Sequence, residues 1–384
     1  MLDDHQHARI AATPPMGWNS WNAFGKGVSE QLIRLMADAL VSSGLREAGY
    51  TYVVIDDHWH SGRDEHGVLY PDPEKFPSGM PALAEYVHAR GLTFGIYSDA
   101  GLKTCGGEPG SLGYEEQDAR TFASWGVDFL KYDFCFAQDD RATAERLYSK
   151  MGSALRQTGR PILFNICEWG HHRPWLWGRS AGGHTWRTTG DIWDGWRDGP
   201  HISQNGIDTI GFEQQRGLEA YAGPGGWNDP DMLVVGLRGR GSIGGPGCTD
   251  TEYRTHFSLW CLLAAPLMVG CDLLNLDQVS LEILTNPEVL ALDQDPLGKQ
   301  GHRICRLGRC EVWVKPLAGG NLGVGVFNRD DSTQILEVHW SDLDIEGKWH
   351  VRDLWLHTDL GVYEDHISVE VNSHACCILR LSAQ

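Results

Sequence analysis

From residue 50 onward, short runs dense in Val, Ile, Leu and Phe alternate with stretches whose apolar positions recur every three or four residues. YTYVVIDD (50–57), LTFGIYSD (92–99), VDFLKYD (127–133) and PILFNICEW (161–169) read as strands. MPALAEYVHARG (80–91), YEEQDARTFASWG (114–126) and RATAERLYSKMGSALRQTG (141–159) between them read as helices. The alternation continues through HTWRTTGD (184–191), a helical GFEQQRGLEAYAG (211–223), GGWNDPDMLVVG (225–236), YRTHFSLWCLLA (253–264) and APLMVGCDLL (265–274). MGWNSW (16–21) and the helix-period segment VSEQLIRLMADALVSSG (28–44) supply one more unit at the start. Apolar strands separated by helices imply a parallel sheet covered on both faces. Eight such units predict a closed (β/α)₈ TIM barrel, an α/β fold. After DPLG (295–298) the pattern becomes strand alternation broken by turn signals such as AGGN (318–321) and NRDD (328–331). The chain therefore divides into a barrel over 1–300 and a small C-terminal antiparallel β-sandwich domain over 301–384.

Charge narrows the range of partners. A formal net charge of −19 opposes nucleic acid and anionic membranes, both of which demand a basic face, and suits an uncharged substrate. No apolar run reaches the length of a membrane span. Met1–Ala12 carries Asp3, Asp4, His5 and His7 with no apolar core, which reads against a signal peptide and for the cytoplasm, or for secretion if a leader was removed. The 10 Cys lie at irregular spacing without a repeated C-x-x-C, so structural zinc is not expected, and Cys376–Cys377 read as buried or free thiols. Homo-oligomerisation is left open.

Candidate chemistry sits at the strand ends. Trp21, Asp56, Asp57, Asp99, Lys131, Asp133, Glu168, Arg187, Asp191, Asp231 and Asp272 close successive strands, and a TIM barrel assembles its active site from such ends. Any single carboxylate there is as readily a cap or a loop anchor; one at every strand end but the first is harder to dismiss. Lys131 and Asp133 share a face of their strand, so the ammonium is expected to lower the carboxylate's pKa and keep it ionised, as a nucleophile requires. A structural ion pair is the plainer reading of those two. Asp191 offers a second carboxylate, and two across a cleft are the minimum for glycoside hydrolysis. Asp133 would raise the pKa of Asp191 and Arg187 would oppose that. A rival reading takes His58-x-His60, Lys131, His171 or His172, His184 and Asp272 as a metallohydrolase site. It is disfavoured because a strand precedes the His-x-His and the later histidines sit in loop-like sequence. Neither a metal nor a cofactor is expected.

The segments TPPMGWNSWNAF (13–24), VIDDHW (54–59), GIYSDAG (95–101), KTCGGEPGS (103–111), WGVDFLKYDFC (125–135), CEWG (167–170), WRTTGDI (186–192), GGWNDPDML (225–233) and NPEVLALDQDPLG (286–298) resemble glycoside hydrolase family 27, the α-galactosidases, nearly throughout and in order. The resemblance implies a retaining exo-glycosidase acting on galactose-terminated oligosaccharides or glycosides. It makes Asp133 the nucleophile and Asp191 the general acid/base. Asp56 and Asp57 would hold the 4- and 6-hydroxyls, Lys131 neighbouring hydroxyls, and Glu168 and Arg187 the 2-hydroxyl. Trp21, Tyr97, Asp231 and Met232 would complete the pocket wall, and Cys105 and Cys135 would form a disulfide beside it. Another family disulfide is missing, since Lys26 and His58 stand where many members have Cys. Within the family, a β-L-arabinopyranosidase is disfavoured by the Asp56–Asp57 pair and an α-N-acetylgalactosaminidase by Glu168. A non-catalytic carbohydrate-binding protein would need neither Asp133 nor Asp191.

Overall fold

Short β-branched and aromatic runs set the strands of the barrel. In the computed structural model, which describes residues 10–384, β1 (Met16–Asn19) and β2 (Tyr52–Val54) are followed by a hairpin, β3 (His60–Arg63) and β4 (Leu69–Pro71). Then come β5 (Thr93–Asp99), β6 (Phe129–Asp133), β7 (Leu163–Ile166), β8 (Thr185–Arg187), β9 (Trp227–Asp229) and β10 (Leu267–Val269). Leaving the hairpin aside, these strands form one parallel sheet in the order β10-β1-β2-β5-β6-β7-β8-β9. Past β9 the chain reaches Leu233, which bridges in parallel to Val269 of β10. The Leu233 amide donates to the Met268 carbonyl at 2.8 Å, so the sheet curls round to meet its own first strand. The barrel expectation holds. Gly17 permits the close approach of β1 to β2, because a Cβ there would lie 2.5 Å from that of Tyr52.

The covering helices follow the period the sequence carries. Ser29 caps Glu30–Ser42 by accepting from the Leu32 amide, and Ile33, Met36, Ala37 and Leu40 turn one stripe into the core. Asp140 does the same for Arg141–Gln157. Asp250–Leu262, opened by a Thr249/Glu252 capping box, is buried on almost every side because it lies between barrel and sandwich. There Thr255 donates to the His374 carbonyl at 2.7 Å and Trp355 donates to the Ser258 hydroxyl at 2.9 Å. One expected helix differs. The stretch 211–223 gives only a π-helical turn, Asp208–Glu213, after which Gly217 takes φ +76° and breaks the period.

The second domain begins with β11 (His302–Leu307), β12 (Cys310–Pro316), β13 (Leu322–Asn328) and β14 (Gln334–His339). It ends with β15 (Lys348–Asp353), β16 (Thr358–Glu364), β17 (His366–Val371) and β18 (Cys376–Ala383). An antiparallel sheet β11-β12-β13-β18-β15-β16 and the pair β14-β17 enclose Val312, Val326, Leu336, Val338, Val351, Ile367 and Leu379. Cys376 and Cys377 are free, partly buried thiols on β18. Among the described residues no helix is long and apolar enough to cross a membrane. Most of the acidic, histidine-bearing stretch that began at Met1 lies outside the described residues.

Candidate active site

The C-terminal ends of the barrel strands converge on a cavity of about 270 Å³. Trp21, Asp56, Asp57, Tyr97, Cys105, Lys131, Asp133, Arg187, Asp191, Asp231 and Met232 all line it. Residues far apart in sequence thus share one concave surface, as barrel topology dictates.

Beyond β2, Asp56 Oδ2 accepts from Asn19 Nδ2 at 2.8 Å and from Lys131 Nζ at 2.7 Å, while Oδ1 takes the Asp57 amide. Asp57 accepts the amides of His58 and Gly106, both at 2.7 Å. Gly106 fits because a Cβ there would lie 2.3 Å from the His58 ring. Burial raises the Asp57 carboxyl above its ordinary value despite those two donors, and the neighbouring Asp56 adds to the shift. Burial works against the Lys131 ammonium, but Asp56 and then Asp133 outweigh it, and its pKa is raised.

Asp133 closes β6 at the cavity floor. Its Oδ2 accepts from the Tyr97 hydroxyl at 2.7 Å and lies 3.3 Å from Cys105 Sγ, half of a disulfide with Cys135. Its Oδ1 has no hydrogen-bond partner in the described structure, the Cys167 thiol beside the carboxylate being only a weak donor. Lys131 does pull the carboxyl down as expected, but the net lowering expected from it is overturned. Burial raises the carboxyl, Lys131 only moderates the shift, and the pKa is pushed up to about 6. The ammonium is committed at closer range to Asp56.

Arg187, on β8, reaches Asp191 at 3.0 Å and Asp231 at 2.9 Å. Asp231, at φ +89°, also accepts the Ile192 amide at 2.8 Å. Burial raises its carboxyl to about 6 against the pull of Arg187. Asp191 differs from every other carboxylate here: its side chain is 60% exposed. The cavity therefore holds one buried carboxylate with an unused oxygen and one solvent-exposed carboxylate, paired with Arg187, in the loop after β8.

Two expected residues stand elsewhere. Cys135 is reached only through its disulfide, with its amide given to Asp99. Glu168 is fully buried away from the cavity, accepts the His172 amide at 2.7 Å, and is pushed up by burial to about 8. Its neighbours Cys167 and Trp169 line the cavity instead. Strand alternation carries that signal for Cys167, since Asn165 on β7 faces the barrel interior, whereas Trp169, at φ +56°, reaches the cavity from the turn beyond the strand. Trp193, Ser203, Gln204 and Ile243 also line the cavity, from loops without periodicity.

The rival metal set is not gathered. His58 stacks on Trp21 with planes 9° apart. His60 hydrogen-bonds to the Pro109 carbonyl, and burial pushes it down to about 3. His172 meets Asp139, His184 accepts the Phe164 amide, and Asp272 caps the turn after β10. Among the described residues the one grouping at metal-ligand range is Asp99, Cys105 and Cys135, and its two sulfurs are spent in the disulfide.

The chain matches the alpha galactosidase A family over residues 13–295 and the alpha galactosidase C-terminal beta sandwich domain over 308–381. An alpha-galactosidase of Cyamopsis tetragonoloba is 46% identical over 371 residues, covering 96% of this chain and 85% of the relative. The crystal structure of alpha-galactosidase I from Mortierella vinacea is similar with a TM-score of 0.91 at 37% identity, covering 97% of this chain and 98% of that one. A GH27 β-L-arabinopyranosidase from Geobacillus stearothermophilus gives a TM-score of 0.86 at 28% identity, with 98% of each chain covered.

Proposed function

We propose, from the premise that this chain belongs to the α-galactosidase family, that it is a retaining exo-α-galactosidase removing terminal α-D-galactosyl residues. The observation that carries the reading is the pair of unlike carboxylates: Asp133 at the floor with a free oxygen, and Asp191 exposed at the rim. Asp133 attacks the anomeric carbon and forms a glycosyl-enzyme ester, while Asp191 protonates the departing glycosidic oxygen. Asp191 then takes a proton from water, which attacks the same carbon and releases Asp133. Two displacements return the original anomeric configuration.

Asp56, Asp57 and Lys131 present a fixed set of acceptors and one ammonium, suited to the 4- and 6-hydroxyls. An analogue lacking one of these hydroxyls leaves buried polar groups unpaired, a strong ground for discrimination. With Glu168 turned away, Cys167, Trp169 and Arg187 border the side assigned to the 2-hydroxyl. Glu168 therefore does not disfavour an acetamido sugar, and Trp169 crowds the place of that group instead. Tyr97 holds Asp133 by a hydrogen bond that is surrendered as negative charge leaves the carboxylate. The division into a catalytic barrel, 1–300, and a β domain, 301–384, belongs to the same reading.

Initial rates on p-nitrophenyl α-galactoside, α-N-acetylgalactosaminide and β-L-arabinopyranoside, with and without EDTA, test it. Fast α-galactoside hydrolysis untouched by EDTA, with α-galactose as first product, is expected. Preference for the arabinoside would keep the two-carboxylate chemistry and overturn the assignment of Asp57; β-galactose as first product would remove the covalent step.

A further inference from the structure

Resting on that reading, we propose that Trp193, with Ser203 and Gln204, forms a leaving-group subsite that takes a saccharide aglycone. The acid that protonates a glycosidic oxygen must stand beside the leaving group, so the aglycone lies on the Asp191 side of the cavity. Trp193 is two residues further along the same extended segment, half-buried, and lines the cavity. The segment is tied down: Ile192 bridges in parallel to Asn205, the Trp193 amide donates to the Asn205 carbonyl at 3.1 Å, and Asn205 Nδ2 donates to the Asp191 carbonyl at 3.0 Å.

The indole is fixed as well as its backbone. Its Nε1 donates to the Arg197 carbonyl at 2.8 Å. The ring rests on Gly195 and Gly199, where a Cβ would come within 2.9 Å and 2.8 Å of ring atoms. Neither glycine has a positive φ, so their lack of a side chain serves packing and not the backbone, at Gly199 for Gln204 as well as the ring, since a Cβ there would lie 2.5 Å from Gln204 Oε1. A surface tryptophan held this way costs little entropy when it meets a ligand. A flat apolar face next to the hydroxyl of Ser203 and the amide of Gln204 suits a neutral sugar ring, which offers axial C–H groups to the indole and hydroxyls to the amide. A purely alkyl chain would leave those polar groups unused.

The test compares the enzyme with Trp193→Ala and Trp193→Phe on raffinose, methyl α-D-galactoside and octyl α-D-galactoside. Methyl galactoside needs acid assistance from Asp191 but carries no aglycone ring, so it reports on the acid alone. Trp193→Ala should raise KM for raffinose about tenfold and leave methyl galactoside within about twofold, with Trp193→Phe recovering most of the loss. Equal losses on raffinose and methyl galactoside would make Trp193 a support for Asp191 and overturn the subsite. A loss confined to the octyl substrate would overturn the saccharide assignment, and no loss on any would overturn both. If the unmodified enzyme turns over none of the three, the proposed hydrolase function fails and takes the subsite with it.

Discussion

The mouth of the barrel and the seam between barrel and sandwich are built from the same materials and end in opposite states. At the seam, Arg329 is 3% exposed and meets Asp208, Glu213 and Glu311 together. Arg309 pairs with Asp208, Arg303 pairs with Glu311, and Trp313 donates to the second Glu311 oxygen at 2.9 Å. At the mouth, Lys131 and Arg187 are likewise buried beside carboxylates, yet Asp133 keeps an oxygen without a partner and Asp191 keeps most of its surface. Buried charge can be spent on holding elements together or held in reserve for a substrate. The arrangement reveals which, because an unpaired buried carboxylate is costly unless something arrives to use it.

The largest expected effect comes from removing that reserve. Asp133→Asn should lower kcat on an aryl α-galactoside by about 10⁴-fold with the fold intact by circular dichroism. Azide should rescue an Asp133→Ala variant with inverted stereochemistry; wild-type rates in either variant would take Asp133 out of the mechanism. Stability should move the other way. The carboxyl is raised to about 6 in the folded protein against an ordinary value near 3.8, so its charge weighs against folding at higher pH and ceases to weigh as it protonates. Asp133→Asn should therefore be more stable than wild type at pH 7.5, on the order of 2 kcal/mol, with the gap closing as pH falls from about 6 towards about 4. A constant or reversed gap in urea titrations across that range would contradict the burial argument.

At the seam the same kind of deletion should behave differently. Arg329→Met removes the cation shared by three carboxylates, each of which keeps at least one other arginine, and should cost about 3 kcal/mol of stability. Its effect on activity is indirect, since Asp208–Glu213 follows the loop carrying Trp193 and Gln204, and the Asp208 amide donates to the Trp196 carbonyl at 2.9 Å. Well below the variant's melting temperature, kcat on methyl α-D-galactoside should stay within about threefold of wild type. A kcat loss as large as that of Asp133→Asn in folded protein would erase the distinction between the two regions.

Much of this was legible in the sequence, and the failures share a cause. The barrel followed from alternating periods, and the convergence of Asp56, Lys131, Asp133 and Asp191 followed from strand ends. What periodicity cannot report is the balance of opposed terms at one atom. Lys131 and Asp133 do share a face, but which carboxylate captures the ammonium depends on Asn19 and Asp56 arriving from other strands. The helix read at 211–223 is cut short because Gly217, at φ +76°, breaks an otherwise good pattern. Trp193 and Gln204 lie in a loop ordered by backbone hydrogen bonds, for which composition holds no signature.

Acid sensitivity sharpens the comparison at smaller scale. Protonating Asp133 removes the nucleophile, so kcat/KM of the free enzyme should fall about tenfold per pH unit below about 6. At the seam, burial opposes the Glu213 carboxylate, but Arg329 prevails and its pKa is lowered, so those pairs should survive through the same range. Activity lost near pH 6 together with unfolding would place the acid-sensitive group at the seam instead.

The smallest effect is expected at the residue where strand-end reasoning and the structure part company. Burial raises Glu168 to about 8, so at neutral pH it is mainly a neutral acid accepting the His172 amide. A glutamine has the same shape and keeps an acceptor for that amide. Glu168→Gln should thus change kcat/KM for an aryl α-galactoside by no more than about twofold. If Glu168 instead met the 2-hydroxyl as a carboxylate, the same change would remove a charge-assisted hydrogen bond to substrate and cost about 10²-fold. The stability profile separates the cases independently. A carboxyl raised to about 8 from an ordinary value near 4.5 penalises the folded state progressively as pH climbs between those values, so the variant should gain on wild type across that window and level off above pH 8, whereas an ionised, ligand-facing glutamate predicts no such drift.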